Sequence, residues 1–154
     1  MLSYSWIVSS DCYKAESVQR AVITFNDWTS QVISLYDEGS FVEVEWTVGP
    51  IPIGDNVGKE IILRYDTDIQ SQSKYYTDAN GREVLERTRN FRPTWNYTVA
   101  EPVSGNYYPV NSRIWIKDAD RQLTVLTGKR STARICESNR ICGWYRSFRR
   151  WCQY

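Results

Sequence analysis

The sequence predicts an all-β, antiparallel protein, on three observations. The first is strict period-two patterning in two stretches. In residues 41–48, Val42, Val44, Trp46 and Val48 fall on one side, with Glu43, Glu45 and Thr47 on the other. In residues 110–117, Val110, Ser112, Ile114 and Ile116 alternate with Asn111, Arg113, Trp115 and Lys117. The second is turn chemistry bordering such stretches, in Asp37-Glu38-Gly39-Ser40, Asp78-Ala79-Asn80-Gly81 and Asp118-Ala119-Asp120-Arg121. The third is composition: 14% of residues are aromatic, with seven tryptophans and eleven tyrosines, which suits packed sheets and not a disordered chain.

Taken in order, residues 1–24 specify least. The apolar cluster Ala21-Val22-Ile23 opens either a strand or a short helix. From Trp28, Val32, Ser34 and Tyr36 alternate with Ile33 and Leu35, a strand pattern. Residues 41–48 give the cleanest strand, with the Val42, Val44, Trp46 and Val48 face expected to be buried. Gly49-Pro50-Ile51-Pro52-Ile53-Gly54-Asp55 must interrupt the ladder, because each proline removes a donor. Glu60 to Tyr65 resumes extended structure. Lys74-Tyr75-Tyr76-Thr77 and Gly81 to Leu85 flank a hairpin turn in which Asn80-Gly81 readily takes positive φ. Glu83 to Arg89 suits a helix or a strand by its charges; the adjoining turn favours the strand. Residues 104–117 run from a loop of small residues through Tyr107-Tyr108-Pro109 into a strand, and Gln122 to Thr127 is its returning partner.

At 154 residues and 42% hydrophobic, the chain can form one domain with a real core. Its net charge of +1 hides an asymmetry: residues 1–127 carry −5 and residues 128–154 carry +6. No apolar run approaches bilayer length, so no membrane span is expected. The first residues lack the basic region of a signal peptide, so the chain alone would be expected to stay in the cytosol.

Chemistry-bearing residues are few. Glu43 with Glu45, and Asp118 with Asp120, are carboxylate pairs of the kind glycoside hydrolysis needs. A solvated strand face and turn capping explain them more simply. There is no histidine. Cys136, Cys142 and Cys152 crowd the last 19 residues with Cys12 remote, and spacings of five and nine residues match no zinc pattern. Their pairing is left open. The basic, aromatic run Arg146-Ser147-Phe148-Arg149-Arg150-Trp151 imitates a nucleic-acid patch, but no nucleic-acid partner is expected. Asn96-Tyr97-Thr98 is an N-glycosylation sequon in a stretch that reads as an exposed loop, which makes Asn96 the candidate acceptor. Tyr107, Tyr108 and Trp115 are candidate glycan-facing residues; physical chemistry alone favours the tyrosine pair as sheet filler.

Three segments carry a further signal. FNDWTSQVISLYDEGSFVEVEWTVGPIPIGDNVGKEIILRYDT, KYYTDANGREVLERTRNFRPTW and EPVSGNYYPVNSRIWIKDADRQLTVLT, in that order and spacing, closely resemble the C-terminal half of class II α-mannosidases, glycoside hydrolase family 38, above all the lysosomal type. The resemblance implies an antiparallel β-sandwich like the family's mutarotase-like supersandwich, over residues 25–127. It implies a part in hydrolysis of terminal α-mannose in glycans, and a lysosomal or secretory setting. The family's zinc and its nucleophile belong to an N-terminal catalytic domain. No matched residue here inherits either role, so catalytic and metal residues are expected to be none, and zinc to be a cofactor only of the full-length enzyme. The implied partners are that catalytic domain, the remaining β-domains and mannose-containing glycans. The rival reading is a non-catalytic glycan-binding or interaction module.

The resemblance is lost at Gly128, where the family continues DRSQGGSS and this chain turns basic. An out-of-frame or alternatively spliced end accounts for that shift, and the same reading extends to residues 1–24. The organisation expected is thus an unassigned segment 1–24, a sandwich portion 25–127, and a tail 128–154. Because Arg and Cys interrupt its alternation, the tail is expected to be mobile or loosely helical, leaving a hairpin edge uncovered.

Overall fold

The computed structural model describes residues 7, 9–59, 61–101, 105–128, 131–137 and 140–145; of residues 131–137, 140 and 143–145 it describes the backbone alone. The basic run 146–151 and Cys152 lie outside the described residues, as does Ser104. The described residues form twelve strands and no helix, and every strand pairing is antiparallel. The all-β expectation holds. The chain divides into two compact units, residues 1–59 and 60–154.

The first unit is a four-stranded meander in the order β1 (Ser9–Lys14), β2 (Val18–Asn26), β3 (Thr29–Tyr36) and β4 (Val42–Val48). Ala21-Val22-Ile23 therefore lies in a strand, the first of its two alternatives. Residues 41–48 form the expected strand, but its apolar face is not buried. Val42 is 56% exposed, Val44, Trp46 and Val48 are half-buried, and Glu43 is half-buried while Glu45 is exposed. Alternation reports which residues share a face; it does not supply the layer that covers that face. Among the described residues of this unit, Ser34 is the one buried residue. The ladder stops at Val48, ahead of the prolines, and the next strand begins at Ile61, in another sheet.

The second unit holds two sheets. One has the order β10 (Gln122–Leu126), β9 (Arg113–Lys117), β6 (Lys74–Ala79), β7 (Glu83–Thr88). The other has the order β5 (Ile61–Asp66), β12 (Arg140–Tyr145), β11 (Ser131–Glu137), β8 (Tyr108–Val110). Their inner faces meet in a core of Ile69, Tyr75, Val110, Ile114, Ile116 and Ile141, flanked by Tyr65, Tyr108, Leu123 and Val125. Tyr75, Ile114 and Ile116 come from the first sheet, Val110 and Ile141 from the second, so the unit is a sandwich. Residues 83–88 take the strand and not the helix. Asn80 and Gly81 have φ of 54° and 72°, and the Arg82 N–H closes the turn on the Ala79 carbonyl at 3.1 Å.

Two further expectations are corrected. Residues 110–117 are not one strand: β8 ends at Val110 and β9 begins at Arg113, and between them the chain leaves one sheet for the other. Period-two patterning survives a corner when the same side chains face the core before and after it, as Val110, Ile114 and Ile116 do. Nor is the tail helical over residues 131–137 and 140–145. Its β-branched and aromatic residues form the β11–β12 hairpin between β5 and β8, with Ile141 opposite Tyr65 and Cys142 opposite Arg64. Ile141 and Cys142 are each 1% exposed. The hairpin completes one sheet, while β10 remains an edge of the other.

This burial sets a contrast. Ile116→Ala, which empties a fully buried site, should cost about 2–5 kcal/mol, whereas Val42→Ala on an exposed site should cost at most about 0.5 kcal/mol. Urea unfolding of both variants checks it; equal effects would refute the placement of the core.

Candidate functional site

The corner between β8 and β9 is organised by Asp78, the last-but-one residue of β6. Its side chain is 3% exposed. Oδ1 accepts from the N–H groups of Asn111, Ser112 and Arg113 at 2.9, 3.1 and 3.2 Å, and Oδ2 accepts from Gly81 at 2.7 Å. Burial pushes the Asp78 pKa up, and the donors of Ser112, Arg113, Gly81 and Asn111 more than reverse this, so it lies below the usual carboxylate value. One carboxylate thus pins the chain reversal at residues 111–113 to the hairpin turn at 80–81.

A second buried polar group fixes the loop that carries the sequon. Asn106, 1% exposed, accepts from the Asn90 N–H at 2.8 Å and donates through Nδ2 to Asn90 Oδ1 at 2.8 Å. Asn90 sits at φ 58°, which Asn tolerates. The Tyr75 hydroxyl donates to the Asn106 carbonyl at 3.0 Å. Arg92 Nη2 and the Tyr97 hydroxyl both donate to the Gly105 carbonyl, at 2.7 and 3.1 Å. Position 105 requires glycine, since an added Cβ would collide with the Tyr97 hydroxyl and lie 2.6 Å from the Glu101 carbonyl. The middle residue of the sequon is therefore an anchor, while Asn96 and Thr98 are exposed.

The three aromatic candidates do not converge. Tyr107 is half-buried with its hydroxyl inside. Tyr108 packs on the core, its ring 6.1 Å from that of Tyr75, with the Arg87 guanidinium 4.1 Å and the Arg92 guanidinium 5.2 Å from its centroid. Trp115 lies on the outer face of β9, opposite in direction to Ile114 and Ile116, and stacks on Tyr76 at 5.4 Å and 16°. Arg113 stands 5.9 Å from the Trp115 ring and Lys117 5.3 Å from the Tyr76 ring. The Tyr76 hydroxyl donates to Glu86 at 2.9 Å, raising the phenol pKa, and Lys74 pairs with Glu86 at 3.0 Å. The outer face of this sheet is thus an aromatic pair framed by charges.

Elsewhere the carboxylates take structural roles. Asp118 accepts from Asp120 and Arg121 N–H at 3.0 and 2.8 Å, the turn capping expected, while Asp120 is exposed. Glu43 accepts from the Tyr36 hydroxyl at 2.6 Å, so it is tied into its sheet and not simply solvated, unlike Glu45. Among the described residues no three His, Cys, Asp or Glu side chains gather as a metal site, and no helix is long and apolar enough to cross a membrane. Without a histidine anywhere in the chain, the donor set does not fit the zinc that the family resemblance implies for the full-length enzyme. Cys142 is disulfide-bonded and Cys12 is an exposed free thiol.

Residues 4–140 match the model of the glycosyl hydrolases family 38 C-terminal domain. The chain belongs to this family. It is 57% identical over 116 residues to the lysosomal alpha-mannosidase of Bos taurus and 53% identical over 116 residues to that of Homo sapiens, each covering 75% of the chain and 12% of the relative. An alpha-mannosidase of Canavalia ensiformis is 44% identical over 105 residues, 68% of the chain and 11% of the relative. This family 38 chain therefore spans about an eighth of the length of the curated relatives it matches.

Sequence reasoning did not single out Asp78, Asn106, Tyr76, Arg113 or Lys117 as a group. The Tyr75-Tyr76 pair carried a partial signal, since in a strand one of two neighbours must face outward. The pairing of Tyr76 with Trp115, 39 positions later, is set by β6–β9 register, which local pattern does not encode.

Asp78 gives a pH test. Asp78→Asn should cost about 1–3 kcal/mol at pH 7 by leaving buried donors poorly satisfied. The folded pKa of Asp78 lies below its unfolded value, so the carboxylate's contribution is fully present above about pH 4 and is lost as pH falls through the folded value. The gap between parent and variant should shrink as pH falls below about 4, measured by urea titrations at a series of pH values. Other acids shared by both proteins cancel in that difference; a gap independent of pH would refute the role.

Proposed function

We propose that this chain forms a non-catalytic β-sandwich portion of a lysosomal-type α-mannosidase, an enzyme acting on terminal α-mannose in glycans. The carrying observation is the 57% identity to a lysosomal alpha-mannosidase over three-quarters of the chain. At that identity the matched residues of the two chains take the same fold, which supports the reading that this chain packs within a larger enzyme. The partners are the catalytic domain, which supplies zinc and the nucleophile, and the remaining β-domains. The sandwich portion proposed at 25–127 keeps the bounds of the family resemblance; by strand pairing, β2 begins earlier, at Val18, and β11 and β12 of the tail share a sheet with β5 and β8. The compartment is lysosomal or secretory. The disulfide at Cys142 and the exposed sequon at Asn96 both support that setting, because disulfides persist where the surroundings oxidise.

The second reading, a glycan-binding module, is favoured by one observation, the stacked Tyr76–Trp115 pair on an outer sheet face. Sugar rings stack on such aromatic faces, but Tyr108 is engaged by two guanidinium groups and does not extend the platform.

Three measurements check these readings. Purified chain supplied with zinc should not hydrolyse a chromogenic α-mannoside, and chelator-sensitive turnover would refute the non-catalytic assignment. Mannoside binding by the same sample, abolished in Trp115→Ala, would favour the second reading. Expressed through a secretory pathway, the chain should carry a glycosidase-sensitive mass increment that Asn96→Gln removes. Its absence in the parent protein would refute acceptor function.

A further inference from the structure

Where the edges of the two sheets of the second unit meet, arginines gather without an acid. β7 is an edge of one sheet and β8 an edge of the other. Arg87 of β7 lies opposite the buried Tyr75 in register, and its guanidinium stands 4.1 Å from the centre of the Tyr108 ring on β8. Arg92 brings a second guanidinium to 5.2 Å from the same centre. Both are half-buried, as is Arg89, two residues beyond Arg87. Among the described residues no carboxylate pairs with any of the three. Nearby acids are committed elsewhere or stand in solvent. Glu86 is held by Lys74 and Tyr76, Asp78 accepts four N–H groups, and Glu83 and Glu101 are exposed. Arg92 donates to the Phe91 and Gly105 carbonyls at 2.8 and 2.7 Å, which fixes its place. Arg87 donates through Nε to Thr77 Oγ1 at 3.4 Å, and neither of its Nη groups meets an acceptor among the described residues. A ring face offsets part of the cost of half-burying one guanidinium; it does not neutralise two.

We propose that Arg87 and Arg92, on either side of the β7–β8 edge at Tyr108, bind a tetrahedral oxyanion: a sulfate or phosphate group, free or as the monoester of a sugar. Like charges drawn out of water onto one ring lack a counter-charge, and a bound anion supplies it. The shape of the anion follows from the number of guanidiniums. A planar carboxylate spends its two oxygens on one guanidinium fork, whereas sulfate or phosphate directs oxygens to several sides and meets two forks at once. The site is separate from the Tyr76–Trp115 pair, because Tyr75 and Tyr76 point to opposite faces of β6. It goes beyond the proposed function and draws nothing from it.

Calorimetric titration of the full chain tests this, with sodium sulfate, sodium phosphate, acetate, and the sulfate and phosphate monoesters of one hexose. Ionic strength is held constant with chloride. Sulfate and phosphate groups should bind at a single saturable site. Arg87→Gln should weaken that binding by about tenfold or more, the effect of losing a charged hydrogen-bond donor. Arg82→Gln, at an exposed arginine of the β6–β7 turn, should leave it unchanged. Esters that bind more tightly than the inorganic ions identify a sugar-borne group, and equal affinities identify the free anion; both support the site. Absence of saturable binding overturns it, as does acetate binding as tightly as sulfate, or an equal loss in Arg82→Gln. A second readout uses the parent chain, so it decides the matter even if Arg87→Gln does not fold. Phenylglyoxal modification of arginines is mapped by peptide mass with and without sulfate. Sulfate should slow modification at Arg87 and Arg92 and leave Arg82 unaffected. Equal slowing at all three is screening by an adventitious ion only, and refutes the proposal. Neither readout involves α-mannoside hydrolysis, so failure here leaves the proposed function standing, and failure of that function leaves this site standing.

Discussion

The sandwich of the second unit depends on one carboxylate. Asp78 satisfies three consecutive N–H groups exactly where strand pairing must stop, between Val110 and Arg113. A chain that leaves one sheet for another strips backbone donors of their ladder partners, and burying such donors unpaired is costly. An ionised acceptor with four donors turns that liability into a fixed corner. Because Asp78 also holds the Gly81 N–H, the corner and the β6–β7 turn move as one piece. From that fixed point β8 faces one sheet and β9 the other, and Val110, Ile114 and Ile116 all reach a common core.

The fold was legible wherever information is local. The strand at 42–48, the proline interruption, the Asn80-Gly81 turn and the capped turn at Asp118 follow from alternation and turn chemistry within a few residues. The corner at Asn111-Ser112 was not legible, because the side chain that makes it stable lies 33 positions earlier in sequence. The β11–β12 hairpin was misread for a related reason. Arg134 and Cys142 look disruptive in isolation, yet they are paired across a two-stranded register in which Ile141 supplies the core contact. For the candidate site, Asn96 was readable as a three-residue motif. The Tyr76–Trp115 pair was not, since only one member stood out in its own segment.

The two units use apolar residues differently. Residues beyond 60 place isoleucine, valine and tyrosine between two sheets and leave a polar, aromatic exterior. Residues before 60 place similar residues on one side of one sheet, with Ser34 the buried residue among those described. Hydrophobic content alone would rank the first unit above the second. What separates them is whether a second layer is present to remove that surface from water, which is the step that contributes most of the stabilisation.

The pairing of β5 with β12 joins Asp66 to Arg140 and Ile61 to Tyr145. On a ribosome the β6–β7 hairpin is free to close as soon as it emerges, whereas β5 must wait for more than half of its unit to be made. Contacts so distant in sequence are slow to form, and the interval leaves a strand with unsatisfied edges in a crowded cell. The late arrival of β12 therefore sets a window during synthesis in which Ile61–Asp66 is open to wrong partners, and a chaperone that shields extended apolar segments would act there.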